Sequence, residues 1–519
     1  MSTAKPSFYI TSPIYYVNAA PHIGHAYTTV ACDVMARWKR LDGYDVKFVT
    51  GTDEHGQKVQ ASAEARGVSP KDFTDEISAI FDKLAKDVGS SHDRFIRTTD
   101  DDHLEACQAL WRKLLASGDI YLGAYEGWYS IRDEAFFQED ELHKNEDGVR
   151  IVTATGATVE WVEEPSYFFK LSAWAEPLIK HYEANPEAIQ PRSRFNEVMS
   201  FLKGGLHDLS ISRTTFDWGI PVPDQDGSDQ KHIMYVWLDA LTNYITALGY
   251  PNQDGEMSQF WPADVHVVGK DILRFHAVYW PAFLMSAGMA PPKMVFAHGW
   301  WTNEGQKISK SVGNVIDPYD LIATYGLDQT RYFMMREVKF GSDADFSPAA
   351  MIVRMNSDLA NAWGNLVQRS LSMIGKNLDG KVPSNAGLTD QDKALLQQAF
   401  DLKAEMSTHM DKLGFKDALE AAWRVIGEAN AYVDETAPWA LKKTDHARME
   451  TVLYTLAETI RRIALLLQPF MPESQSKVLD QLAIDGGQRE FAHLGDALES
   501  GVELPKPSGL FPRFVEQAD

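Results

Sequence analysis

Cysteine is almost absent from this 519-residue sequence, with Cys32 and Cys107 its only two. Two thiols cannot supply a disulfide framework or a four-thiolate zinc site, and such sparse use suits a reducing compartment. Long hydrophobic runs are absent as well: the most apolar stretch, Ala277 to Ala290, is broken by Pro281 and too short to span a bilayer. The start MSTAKPSFYI has no basic-then-apolar leader pattern, so a cytoplasmic protein with no membrane partner is expected. Basic residues are in deficit, 50 Lys plus Arg against 73 Asp plus Glu, for a net charge of −23. That balance argues against indiscriminate nucleic-acid binding, which rests on phosphate neutralisation, but leaves room for one RNA met by a local basic or aromatic face.

What remains is globular: 44% of residues are hydrophobic, 24% charged and 11% aromatic. At roughly 150 residues per domain the chain suggests about three domains. Phe8-Tyr9-Ile10-Thr11 reads as a strand, the pattern through Val30, Val34 and Trp38 as a helix, and Val46 to Thr50 as a second buried strand. Ser69-Pro70, and Thr99 before three aspartates, mark two further helix starts expected to pack on a parallel sheet. From about Asp119 to Trp218 turns and short β runs (149–155, 157–162) replace long helices, the pattern of an insert. Alternation then returns, with strands at 265–269 and 294–298. Beyond Ser347-Pro348 helical periods at 348–374, 390–413, 415–433 and 445–467, stopped by Gly375 and Gly414, predict a helical bundle.

Two motifs carry chemistry. In His22-Ile23-Gly24-His25 two imidazoles three residues apart share the first turn of a helix, beside N–H groups and the positive dipole end that stabilise a phosphate chain. Read alone, the four residues serve equally as surface histidines at a helix start. Lys307-Ile308-Ser309-Lys310-Ser311 lies in the Gly- and Ser-containing loop 303–314, where two lysines can follow charge onto departing pyrophosphate. Read alone, it is a solvated basic loop. Trp237 and Tyr244, seven apart, and His276 and Trp280, four apart, share helical faces, and Asp53 ends a buried strand where crevices of open parallel sheets form; taken alone, such an aromatic stripe is more often core than pocket.

The paired signatures, in order, resemble those of class I aminoacyl-tRNA synthetases. The stretches Tyr9 to Asn18, Gly51 to Gly56, Trp218 to Pro223 and Val236 to Ala240 are similar to those of the bacterial methionyl-tRNA synthetase family. The resemblance implies a Rossmann-type α/β catalytic domain in two halves, 1–118 and 219–347, the second holding the lysine loop and a stem-contact region. It also implies an inserted connective, knuckle-like domain at 119–218 and an all-α anticodon-binding domain at 348–519. His22, His25, Lys307 and Lys310 would be catalytic. ATP, with Mg²⁺, would meet His22, Gly24, His25, Gly269, Asp271, His298, Gly299, Lys307 and Lys310. Methionine would meet Pro13, Ile14, Tyr16, Asp53, Trp237, Ala240, Leu241, Tyr244, His276 and a repacking Trp280. Asn365, Arg369 and Trp439 would read the anticodon of methionine tRNA, although Trp439 taken alone reads as an ordinary bundle anchor.

The sequence departs from the family at the knuckle. Many relatives carry paired zinc-binding cysteines there, whereas Gly127 to Glu134 has Ser130 and Asp133 at the first pair. No metal is expected, only packing through Trp128, Tyr129, Phe136 and Phe137. Because the chain ends near 519, without the appended dimer-forming domain of some relatives, a monomer is expected. The rival readings are another class I synthetase, a nucleotidyltransferase of the same superfamily, and an inactive RNA-binding scaffold. Against these stand an insert too small for an editing domain, the helical bundle, and intact signature residues.

Overall fold

The structure, a computed structural model, describes residues 5–17, 20–133, 135–223, 231–303, 306–307 and 316–515. The chain divides into two compact units, one made of Met1–Pro6, His22–Val46 and Gly299–Asp519, the other of Ser7–Pro21 and Lys47–His298.

The second unit is built on a six-stranded sheet in the order Arg94–Arg97, Asp45–Asp53, Ser7–Tyr16, Val265–Gly269, Val295–His298, Ile189–Gln190. Its strands pair in parallel, with Thr50 opposite Phe95, Ile10 opposite Val265, Val267 opposite Phe296 and Val295 opposite Ile189. Parallel strands are covered on both faces and so need near-continuous apolar runs, which is why Tyr9, Ile10, Phe48, Val49, Val267 and Val268 are all buried. All four strands expected from sequence lie in this sheet. From Ser7–Tyr16 the chain order runs one way to Asp45–Asp53 and the other way to Val265–Gly269, so a switch point opens at the carboxyl end of the central strand.

Ser69 caps the helix Pro70–Asp87 by accepting the Asp72 N–H at 3.1 Å. At the other expected start, Asp100 holds the cap position of Asp101–Ala116, and Thr99 instead donates to Glu54 at 2.6 Å. The insert is a long antiparallel pair, Ile120–Ser130 against Glu160–Phe169, and it returns to the main sheet through the edge strand Ile189–Gln190.

In the first unit the helix Ile23–Leu41 is tied down by a buried ion pair, Arg331 to Asp33 at 2.7 Å. The same guanidinium also satisfies the carbonyls of Pro469 and Phe470. The helical part contains Asn365–Asn377, Asp390–Met410, Phe415–Thr436 and His446–Leu467. One sequence expectation needs correction. Gly375 does not stop its helix, which runs on to Asn377, because the roughly 1 kcal/mol that glycine costs is outweighed by packing of Ile374 and Leu371. The helix expected over 348–374 is continuous, running through Pro348–Val353, a π-helical Arg354–Gly364 and Asn365–Asn377. No helix among the described residues is long and apolar enough to cross a membrane.

Candidate active site

In the sheet unit the carboxyl ends of neighbouring strands carry Asp53, Gly269 and His298, with Pro13, Ile14 and Tyr16 on the last residues of the central strand. Gly51 is dictated by the sheet: a methyl group there would lie 1.9 Å from the Ile96 carbonyl oxygen. Asp53 is buried, and its carbonyl accepts the Val17 N–H at 3.2 Å. The Asp271 carboxylate folds back to 2.6 Å from where a Gly269 methyl would sit, so any larger residue there would push that carboxylate aside.

The helix Val236–Thr246 presents Trp237, Ala240, Leu241 and Tyr244 at spacings of three, four and seven, on one face. Trp237 stacks on Phe275 with centroids 3.7 Å apart and meets His276 edge-on at 6.2 Å. His276 Nδ1 lies 2.9 Å from the Ile272 carbonyl, which can only accept, so the ring proton sits there and Nε2 accepts from Tyr244 OH at 2.7 Å. Burial pushes His276 down to about 4, so the ring is neutral at physiological pH.

Behind this pair lies His266, which sequence reasoning missed. It stacks on Tyr244 at 4.1 Å and bonds Thr11 Oγ1 at 2.8 Å, and its Nε2 accepts the fully buried Trp280 indole at 3.3 Å. Burial, and secondarily His276, holds His266 well below its usual value. Ile14, Trp237, Leu241, Tyr244 and Trp280 belong to one hydrophobic cluster, while Tyr16 belongs to a smaller one around Tyr15, Phe73 and Phe81. His266 and Phe275 gave no signal in the sequence because they sit inside apolar runs that read simply as core.

In the other unit His22 caps the helix Ile23–Leu41. Its Nδ1 accepts the Gly24 N–H at 3.1 Å, and His25 Nδ1 accepts the His22 N–H at 3.0 Å. With Nδ1 of each ring accepting, Nε2 is the nitrogen left to donate, and the ring centroids are 4.0 Å apart. A methyl on Gly24 would lie 2.9 Å from His22 Cε1, so this glycine makes room for the cap itself. Gly299 is equally constrained, since a methyl would lie 2.3 Å from the Ser342 backbone. Of the lysine loop, the backbone of Lys307 pairs with Thr302, and Lys310 lies outside the described residues.

On the helical part Asn365 is exposed and Arg369, one turn on, is held by Asp434 at 3.1 Å. Ala437 adopts a left-handed conformation (φ 44°), so Pro438 opens a new short helix, Pro438–Thr444, rather than merely ending the previous one. Trp439 on that helix is 53% exposed and so is not a bundle anchor.

Among the described residues one His/Cys/Asp group has ligand atoms close enough to share a metal: His103, Cys107 and Asp239, all buried. Its geometry fits a hydrogen bond instead. His103 Nε2 and Asp239 Oδ1 are 2.8 Å apart, whereas two ligand atoms at about 2.0–2.1 Å from a tetrahedral zinc would stand about 3.3 Å apart. At the knuckle Ser130 and Asp133 close a hydrogen-bonded turn, which Thr155 joins by donating to Asp133 at 2.6 Å.

The sheet unit carries a topological switch point and the other unit a histidine-capped helix, and comparison with known proteins shows the family. Residues 8–371 match the family described as tRNA synthetases class I (M), and residues 382–519 match the anticodon binding domain of methionyl tRNA ligase. A Mesorhizobium japonicum methionine–tRNA ligase is 55% identical over 516 residues, covering 99% of both chains. One from Rickettsia felis is 54% identical over 98% of this chain and 99% of its own. The crystal structure of Mycobacterium tuberculosis methionyl-tRNA synthetase bound by methionyl-adenylate superposes with a TM-score of 0.95 at 52% identity, covering 98% of this chain and all of that one. This chain belongs to the methionine–tRNA ligase family of class I tRNA synthetases.

Proposed function

We propose that the chain activates L-methionine with ATP, forming methionyl-adenylate and pyrophosphate, and then transfers the methionyl group to the 3′-terminal adenosine of methionine tRNA for initiation and elongation. The observation that carries this reading is the neutral Tyr244–His276 pair beside the stacked Trp237. It gives an apolar, polarisable wall with no charge to solvate, suited to a thioether rather than to a charged or strongly polar side chain.

ATP enters as its magnesium complex. A methionine carboxylate oxygen attacks the α-phosphorus in line and pyrophosphate leaves. The Nε2–H groups of His22 and His25 donate to phosphate oxygens, and Lys307 and Lys310 follow the negative charge onto the leaving group. Gly24, Gly269, Asp271, His298 and Gly299 hold the nucleotide. Asp53 takes the substrate ammonium group, while Pro13, Ile14, Tyr16, Trp237, Ala240, Leu241, Tyr244, His276 and Trp280 enclose its side chain. In the second step the ribose 2′-hydroxyl attacks the adenylate carbonyl and AMP leaves.

Asn365, Arg369 and Trp439 meet the anticodon: the exposed indole and the guanidinium offer stacking planes, and the amide reads a base edge. The working segments are 1–118, 119–218, 219–347 and 348–519. The protein acts as a cytoplasmic monomer without structural zinc, its knuckle held by the Ser130–Asp133–Thr155 bonds and by Trp128 against Trp161. Aminoacylation tests the whole reading: methionine tRNA should be charged with methionine and with no other natural amino acid, and failure to charge with ATP and methionine present would overturn it.

A further inference from the structure

We infer that Asp239 is a positioning residue that fixes the spacing between the ammonium anchor and the side-chain wall of the methionine pocket. The inference rests on the proposed roles of Asp53 and Trp237.

Asp239 sits in the first turn of Val236–Thr246, two residues after Trp237 and one before Ala240, on the side of the helix turned away from the pocket face. It is a fully buried carboxylate, and such a group persists only when both oxygens are satisfied. Oδ2 accepts from His55 Nδ1 at 2.7 Å and Oδ1 from His103 Nε2 at 2.8 Å. Burial alone would raise the carboxyl, but its two histidine partners outweigh this and keep it below the usual range.

The two histidines belong to different elements. His103 lies on the helix Asp101–Ala116, and its other ring nitrogen bonds Thr246 Oγ1 at 3.0 Å. That hydroxyl also donates to the Thr242 carbonyl, and the two bonds fix the ring to the core. His55 lies two residues beyond Asp53, at the end of the strand. The segment between them is held on its far side by Trp218, which donates its indole N–H to the Glu54 carbonyl at 2.6 Å and meets the His55 ring edge-on at 5.3 Å. Its carbonyl also takes the Gly56 N–H at 3.1 Å. One carboxylate therefore joins the strand end bearing Asp53 to the helix bearing Trp237 and Tyr244, and braces both against a third element. A substrate held at its ammonium group and at its thioether feels any change in that spacing as lost affinity.

The test is pyrophosphate exchange with four variants, each checked by circular dichroism and melting. Asp239→Asn and His55→Gln are expected to raise the methionine KM roughly tenfold while the ATP KM moves less than about twofold. His103→Gln, which cuts only the brace to the core, is expected to lower the melting temperature with the methionine KM within about twofold. Should Asp239→Asn fail to fold, His55→Gln alone decides, because it breaks only the link to the anchor strand. An unchanged methionine KM in folded His55→Gln, or an equal rise in His103→Gln, would overturn the inference. Asp53→Asn separates the two levels of the argument: if it leaves the methionine KM unchanged, the anchor assignment itself fails.

Discussion

At the scale of single residues, the pocket is defined by hydrogen-bond bookkeeping more than by hydrophobicity. Because the Ile272 carbonyl can only accept, His276 must offer Nε2 as an acceptor, and Tyr244 is fixed as its donor. Tyr244→Phe removes that donor, leaves a buried nitrogen unsatisfied and is expected to raise the methionine KM about five- to tenfold, with little change in ATP binding. Exchange kinetics at varied methionine check this, and an unchanged KM would show that the bond does not shape the pocket. Lys310→Ala should act differently, since the role proposed for it calls for its charge as pyrophosphate departs. Its rate of adenylate formation is expected to fall at least a hundredfold while methionine affinity changes only a few-fold, as read by single-turnover measurement. Residues with chemical character in a motif, such as His22, Gly24, His25 and Asp53, could be singled out as candidates in the sequence. His266 and Asp239 were not, because a buried histidine in an apolar strand and an aspartate in a helix acquire meaning only from partners some 250 and 180 positions away.

At the scale of elements, four of the six strands of the parallel sheet could be read directly because burial on both faces demands unbroken apolar runs, whereas the edge strands Arg94–Arg97 and Ile189–Gln190 are short and lack such runs. Helix boundaries were less legible where local and tertiary preferences compete. Gly375 reads as a stop yet stays helical, and Pro438 reads as an end yet begins the helix that exposes Trp439. That short helix also carries Lys442 and Lys443 in its last turn, a local basic site on a strongly acidic chain. Since Trp439 is half exposed, Trp439→Ala should leave the melting temperature within about 1 °C, because surface changes rarely exceed about 0.5 kcal/mol. Charging of methionine tRNA is expected to fall at least tenfold, in keeping with about 1–3 kcal/mol of lost stacking, with tRNA-independent exchange intact. Loss of exchange or of folding would place the tryptophan in the structure rather than at the anticodon.

At the scale of the whole molecule, a net charge of −23 means that stability and RNA recognition both depend on where the few cations are placed. In the helical part Arg448 pairs with the carboxylate of Asp392, which also accepts from Tyr432 and the Thr389 N–H. Burial would raise this carboxyl, but the hydrogen bonds from Arg448, Tyr432 and Thr389 lower it to about 2. A carboxyl depressed on folding stabilises above its unfolded value near 3.8 and loses that stabilisation as pH falls through about 2. Asp392→Asn is therefore expected to cost on the order of 1–2 kcal/mol near neutrality and progressively less between pH 4 and 2, as followed by denaturant titration. A cost independent of pH would assign the effect to packing.

The central claim is that one chain couples ATP chemistry to a methionine-shaped pocket, and amino-acid-dependent exchange of pyrophosphate into ATP without tRNA tests it most directly. Across the natural amino acids, exchange is expected with methionine and at background level with the rest. Exchange driven by a different amino acid would contradict the pocket assignment, and no exchange with any of them would contradict the chemistry.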